Sequence, residues 1–591
     1  MLKRLKRAGL IPALIVSSVL AATMIVPASA NFLASVITPG CSGGYTYSPP
    51  ATPTVLHVVP DAGPAGGGQG VSIYGTDFCN VTAVKFGSVD AASFTVNNRG
   101  GITAVTPAGT PGTTVDVRVT TNKGTSPITP ADHYSYVSDR QVACTTNSYN
   151  LHGSNGVTWL GMDGANLSVS FTTSVAGRAI FTGNADLFTQ KAGFNQDLGI
   201  YVTGPGYPSL ASQPEAWKES GGFAGTFSPN AAFVKTVVPV EAGQTYTAEL
   251  VWKTNKNDPS GTISAGAGPI GGRYSQTCLT VAVETGATVS SRKSHQYYTL
   301  TNSNGSTWQD IDSTNLSMVY HAPADGSIMV GGNADMWTQT AGFNQDLGVT
   351  VSGGAYPTHA GQPEAWKESG GFGGTFSPNA AFVNHVLSVV GGTDYTIKLQ
   401  WKTNKGGSSI IHIAAGPVPA GSTRYSPTGL TVEFFPSGME PISKVSTLNY
   451  HLTGSDGATW QAIDPFKLIA SITPSSDCQA VAGANADLYT GKLGYNQDLG
   501  IGVSDGTFPS FANQPEGWKE SGGFAGTFSP NAAYNQIVVN LSAGHTYNFF
   551  LLWKTNRSDP NGTIYAGAGP IPPGDPNGLS PTSLTVVPIG C

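Results

Sequence analysis

The chain has 591 residues, only 11% of them charged, and a formal net charge of −6, against roughly 25% charged residues in an ordinary soluble domain. With so few Lys and Arg, and no basic cluster beyond the first residues, nucleic acid is excluded as a partner. The 76 Gly and 40 Pro suggest many short strands joined by turns, while 24 Phe, 22 Tyr and 10 Trp exclude a disordered chain.

Lys3, Arg4, Lys6 and Arg7 form a basic head, an apolar run follows from Ala8 to Val26, and Ala28-Ser29-Ala30 supplies a small-x-small cleavage pattern. This predicts a signal peptide over 1–30 and a linker over 31–52. No second run of that length follows, and the chain ends at Cys591 without an apolar tail. The expected product is secreted or held at the cell surface, with no integral membrane segment after cleavage. In an exported chain the six cysteines predict disulfides. Position along the chain favours Cys41–Cys79, Cys144–Cys278 and Cys478–Cys591.

Residues 53–138 read as short strands. Val71 and Ile73 end at Gly75, Val84 and Phe86 end at Gly87, and Val115, Val117 and Val119 alternate with polar neighbours before Tyr134 and Tyr136. This pattern predicts a small β-sandwich. The run Pro60-x-x-Gly63-Pro64-x-Gly66-Gly67, then Val71-x-Ile73-x-Gly75-x-x-Phe78, Val84-x-Phe86-Gly87, Pro107, Gly112 and Gly124-x-Ser126 resembles the IPT/TIG family of immunoglobulin-like domains. The resemblance implies a spacer or binding unit of the kind used in bacterial surface proteins, adhesins and polysaccharide-acting enzymes. It supplies no catalytic residues.

The remainder is a triplicate. Trp159, Trp308 and Trp460 stand 149 and 152 residues apart, and Trp217, Trp366, Trp518 and Trp252, Trp401, Trp553 repeat the spacing. Three modules are expected at 139–287, 288–437 and 438–591. Tyr246, Ala248, Leu250 and Trp252 alternate with Thr247, Glu249, Val251 and Lys253, which predicts a strand with Trp252 in a core and the second set facing water. The fold class expected is all-β: an immunoglobulin-like sandwich followed by three tandem sandwiches, jelly-roll-like in form. Any helix is confined to a turn near Gln213–Glu219.

The closest match between copies lies in the middle of each module. Its candidate ligand-binding residues are Asn195, Gln196, Asp197, Glu215, Trp217 and Glu219; Asn344, Gln345, Asp346, Glu364, Trp366 and Glu368; and Asn496, Gln497, Asp498, Glu516, Trp518 and Glu520. One reading is structural, with amides and acids satisfying turns and rings anchoring a loop. A second is a carbohydrate groove, where an exposed tryptophan stacks on sugar faces and three copies add avidity. A third is calcium at Asp186, Asp197, Asp335, Asp346, Asp487 and Asp498, since calcium takes about six to eight oxygen donors. No hydrolase elbow, zinc motif or phosphate loop is present, and the histidines do not recur between copies, so no enzyme is expected. The expected function is non-catalytic binding or adhesion outside the cell, to a polysaccharide or cell-envelope polymer. The alternatives are a purely structural surface component and an accessory carbohydrate-active hydrolase.

Overall fold

The computed structural model describes residues 51–591 apart from short stretches, the longest being 208–212, 222–229, 357–362, 370–378, 418–422, 505–514, 523–530 and 570–578. The signal peptide, nearly all of the linker and Cys41 lie outside the described residues. The architecture is all-β, and the one helical piece among the described residues is the short turn Pro130–Asp132. No helix among them is long and apolar enough to cross a membrane.

Residues 54–137 form a two-sheet sandwich. One sheet runs Thr54–Val59, Gly70–Thr76, Gly101–Val105 and Ser93–Asn98. The other is centred on Thr113–Thr121, which pairs with His133–Val137 and Val81–Phe86. The alternating valines point inward as expected: Val117 and Val119 are buried with Val71, Ile73, Phe78, Phe86, Tyr134 and Tyr136 in one core.

Each of the three following modules pairs a six-stranded sheet with a five-stranded one, in the same strand order. In the first module the long strand Gly177–Thr189 is flanked by Asn230–Val240 on one side and by Thr277–Glu284 and Thr262–Ala265 on the other. Opposite it, Asn195–Thr203 lies between Ala216–Gly221 and Thr245–Thr254. The facing rows, among them Leu198, Ile200, Ala248, Leu250 and Trp252, form a core, and Trp401 and Trp553 take the same place in the other two. The segment expected to turn helically is instead the strand Ala216–Gly221. It completes the sheet edge by pairing with Asn195–Thr203, and that ladder of backbone bonds overrides local preference.

Cys144 and Cys278 sit opposite each other on paired strands and are disulfide-bonded, and Cys478 is bonded to Cys591. Cys79 is also disulfide-bonded.

The modules are not beads on a string. They close into a ring with approximate threefold symmetry, each contacting the next and the third contacting the first. The backbone N–H of Glu219 donates to Asp335 of the second module at 3.2 Å, that of Glu368 to Asp487 of the third at 3.0 Å, and that of Glu520 to Asp186 of the first at 3.1 Å. On the ring axis Phe233, Phe382 and Tyr534, one from each module, pack with centroids 4.4–4.7 Å apart.

Candidate functional site

The repeated middle segment builds the seams of this ring. On the outer face of the five-stranded sheet, Asp197 lies directly opposite Lys253 on one neighbouring strand and Glu219 on the other. Residues so placed share a face, with Cβ atoms roughly 4.5–5.5 Å apart. The Lys253 ammonium contacts the Asp197 carboxylate, and both side chains are out of solvent. Glu219 accepts from Asn195 Nδ2 at 2.6 Å and from Asn255 Nδ2 at 3.2 Å. Lys253 Nζ stands 4.9 Å from the Trp159 ring centroid and 5.8 Å from that of Trp217, as cation–π contacts require. The second module repeats the set with Asp346, Lys402, Glu368 and Asn344, and the third with Asp498, Lys554, Glu520 and Asn496.

Local geometry explains the glycine after each NQDL. A Cβ at Gly199 would lie 3.0 Å from Trp159, one at Gly348 2.8 Å from Trp308, and one at Gly500 2.9 Å from Trp460. Glycine therefore seats the first tryptophan. Trp217 then tilts against Trp159 with centroids 5.8 Å apart. The lid over both rings comes from the next module: Ala415 covers Trp159 and Trp217, Ala568 covers Trp308 and Trp366, and Ala267 covers Trp460 and Trp518. These alanines lie in the stretches Ala265-Gly-Ala-Gly-Pro269, Ala414-Ala-Gly-Pro417 and Ala566-Gly-Ala-Gly-Pro570. Gly268, at φ +109°, would place a Cβ 3.2 Å from Trp518.

Three expectations are corrected by this arrangement. The sugar platform needed an exposed ring, but Trp217, Trp366 and Trp518 are only 3%, 4% and 3% exposed because a neighbouring module sits on them. The strand face read as wet, including Val251 and Lys253, is buried at its C-terminal end by the same contact. The calcium pairs Asp186 with Asp197, Asp335 with Asp346 and Asp487 with Asp498 do not form oxygen cages. Asp197, Asp346 and Asp498 each face a lysine, while Asp186, Asp335 and Asp487 accept a backbone N–H across a seam. Gln196, Gln345 and Gln497 are fully buried beside them. Glu215, Glu364 and Glu516 are half-buried at the seam rim, where Glu215 Oε2 stands 3.8 Å from Lys293 of the second module.

Burial dominates the electrostatics. Desolvation pushes the Asp186 and Asp487 carboxyls up to about 6 and that of Asp335 to about 7, against the opposing pull of Lys519, Lys367 and Lys218 across the seams. Glu219 is raised well above the ordinary carboxyl range by burial and by the neighbouring Asp197 charge.

Two groupings were missed in the sequence. Asp116, Asp132 and His133, in the N-terminal sandwich, bring one ligand atom each within 4.8 Å of one another, as a small metal site would. In the second module Trp337 stacks on His412 with centroids 4.1 Å apart, and Tyr297 and Tyr425 flank them. Tyr297 is 37% exposed, and Trp337 and Tyr425 are half-buried. In the third module Tyr489 and Tyr565 stack at 4.7 Å in the corresponding place. The signal was Trp337 itself, the one tryptophan outside the triplicated set.

No curated protein matches the chain. Among solved structures it is similar to SGBP-B from a xyloglucan utilization locus in Bacteroides uniformis, with 14% identity over 40% of this chain and 74% of that one and a TM-score of 0.14. It is similar to the surface glycan-binding protein PbSGBP-B from Prevotella bryantii, with 10% identity, 65% and 99% coverage and a TM-score of 0.14. It is also similar to the infectious bursal disease virus VP2 subviral particle, with 9% identity, 76% and 81% coverage and a TM-score of 0.18. Within the chain, residues 53–136 match the family described as the IPT/TIG domain, and that stretch is an IPT/TIG domain.

Proposed function

We propose that this is an extracellular, non-catalytic binding and adhesion protein whose ligand is a polysaccharide or another cell-envelope polymer. The observation that carries the reading is the half-exposed aromatic patch of Tyr297, Trp337 and Tyr425 on the second module. Flat rings left partly in water beside polar groups, here His412 and Gln339 joined at 3.2 Å, are the surface on which sugar faces stack. The signal-like N-terminus and the disulfides support an exported location. The seam carboxylates have no part in binding: they face lysines and a neighbouring module, and two carboxylates that hydrolyse a glycoside must face a substrate. The reading calls on no calcium at the seams; the trio of Asp116, Asp132 and His133 is the place where a metal is proposed.

Pull-down of the purified chain on insoluble cellulose, chitin and peptidoglycan tests this. Retention on one polymer, lost in Trp337→Ala with the thermal midpoint unchanged, supports the reading. Retention that persists in Trp337→Ala, or binding to none of the three, overturns it. The second outcome favours a structural surface component, a reading that the ring supports by burying the repeated residues.

A further inference from the structure

Each module places one amine and two carboxyl groups side by side in a sealed pocket. Lys253, Asp197 and Glu219 stand in one row across three adjacent strands, and the same row recurs as Lys402, Asp346, Glu368 and as Lys554, Asp498, Glu520. As an ion pair this grouping is poorly satisfied. It carries one cation against two acids, and Asp197 Oδ1, Asp346 Oδ1 and Asp498 Oδ1 are all buried without a hydrogen-bond partner. Buried charges normally have every lone pair satisfied, because taking an ion out of water is costly. The same flaw in three copies calls for a chemical reason.

We propose that Lys253 and Asp197, Lys402 and Asp346, and Lys554 and Asp498 condense into amide cross-links, one within each module, with Glu219, Glu368 and Glu520 as the groups that move the protons. The proton of the ion pair passes from the ammonium to the aspartate, leaving a free amine beside a neutral carboxylic acid. The amine lone pair attacks Cγ and a carbon–nitrogen bond forms. The protonated glutamic acid gives its proton to the departing hydroxyl and receives one from the nitrogen. The carbon–oxygen bond breaks and one water leaves, so the glutamic acid ends as it began. No oxidant or second substrate enters.

The fold supplies what the step needs. Register holds amine and carboxyl in contact, and a contact held in place replaces the encounter that a bimolecular condensation must wait for. Burial, with the Asp197 charge beside it in the resting pair, pushes the Glu219 carboxyl well above its ordinary range, toward the protonated form that a proton donor needs. The Trp159 and Trp217 rings and the next module's Ala415 exclude the water that would reverse the reaction. The product removes two buried charges from each pocket.

Intact-mass spectrometry of the purified chain tests this, with the disulfides reduced and the N-terminus established by peptide mapping. The expected mass falls short of the sequence by three waters, and digestion yields branched peptides joining Lys253 to Asp197, Lys402 to Asp346 and Lys554 to Asp498. Glu219→Gln, Glu368→Gln and Glu520→Gln are each expected to restore one water and to separate the corresponding peptides. A deficit of one or two waters with branched peptides at these pairs supports the cross-link in those modules. A folded chain of full mass, with all six peptides running separately, overturns the proposal, and this measurement needs no variant to fold.

Discussion

Asn184 and Tyr534 are 350 residues apart in the chain, yet Asn184 Nδ2 donates to the Tyr534 carbonyl oxygen at 3.2 Å across the seam that closes the ring. Asn333 makes the same bond to Phe233 and Asn485 to Phe382, both at 3.1 Å. The carbonyls belong to the three aromatic residues on the axis, so side-chain packing and backbone bonding lock the same point. Phe382→Ala empties the centre of that cluster. Truncating a buried phenylalanine costs about 3–5 kcal/mol. The expected result is a loss of that size in denaturant unfolding, with proteolysis opening the seams before the module cores. Unchanged stability would mean that the axial contact holds nothing together.

The pH dependence of the ring follows from Asp186, Asp335 and Asp487. Each carboxyl is raised from 3.8, to about 6, 7 and 6 respectively, by burial. Between the unfolded and folded values the native state binds more protons than the unfolded chain, so stability falls as pH rises. Their contribution is fully present below about pH 4 and is lost as pH climbs through 6–7. Lys218 and Lys519, held down at about 8 by burial, titrate above that window. The thermal midpoint is therefore expected to be higher at pH 5 than at pH 7.5. The difference should shrink in the triple variant Asp186→Asn, Asp335→Asn, Asp487→Asn, which keeps an acceptor for each seam N–H.

Much of this fold was legible as period two. Leu250 and Trp252 point inward and Thr247 outward, as the alternation predicts, and the motif glycines and valines of residues 53–136 mark their sandwich. The ring was not legible, because alternation tells only which side of a strand meets its own module. Val251 and Lys253 sit on the other side and are buried by a neighbour. The clue was present: the third copy carries Phe550 and Leu552 on that face, and Leu552 is fully buried against Trp460, Trp518 and Ala267. The sequence likewise leaves Asp197 open between a structural role and a ligand for sugar or metal, because it does not show that Lys253 lies opposite it. Only the register of two strands more than fifty residues apart brings them together.

The ring is not symmetric in charge, and that asymmetry has a testable weight. Lys235 of the first module is replaced by Asn384 and Gln536 at the equivalent positions. Lys235 reaches Glu433 of the second module, with Arg140 3.5 Å away on its other side. The two cations hold the Glu433 carboxyl below its usual range despite complete burial. Removing one partner of such a network strands a buried charge and costs about 3–5 kcal/mol. Glu433→Ala leaves two cations unopposed and is expected to destabilise the chain by that much in denaturant unfolding. Combining it with Lys235→Asn should recover part of the loss, and no recovery would show that the three groups act independently.

The disulfides divide the modules into two kinds. Cys144–Cys278 closes a separation of 134 residues and Cys478–Cys591 one of 113, while on the strand pair equivalent to that of Cys144 and Cys278 the second module places Lys293 opposite Gly429. A cross-link closing a loop of about a hundred residues stabilises by about 5 kcal/mol, chiefly by restricting the unfolded chain. Under reducing conditions the first and third modules should lose stability and the second should not. Limited proteolysis with and without reductant checks this. New cleavages are expected within 139–287 and 438–591, with 288–437 cut at the same rate in both. Accelerated cutting confined to the second module would show that the bridges do not govern local stability.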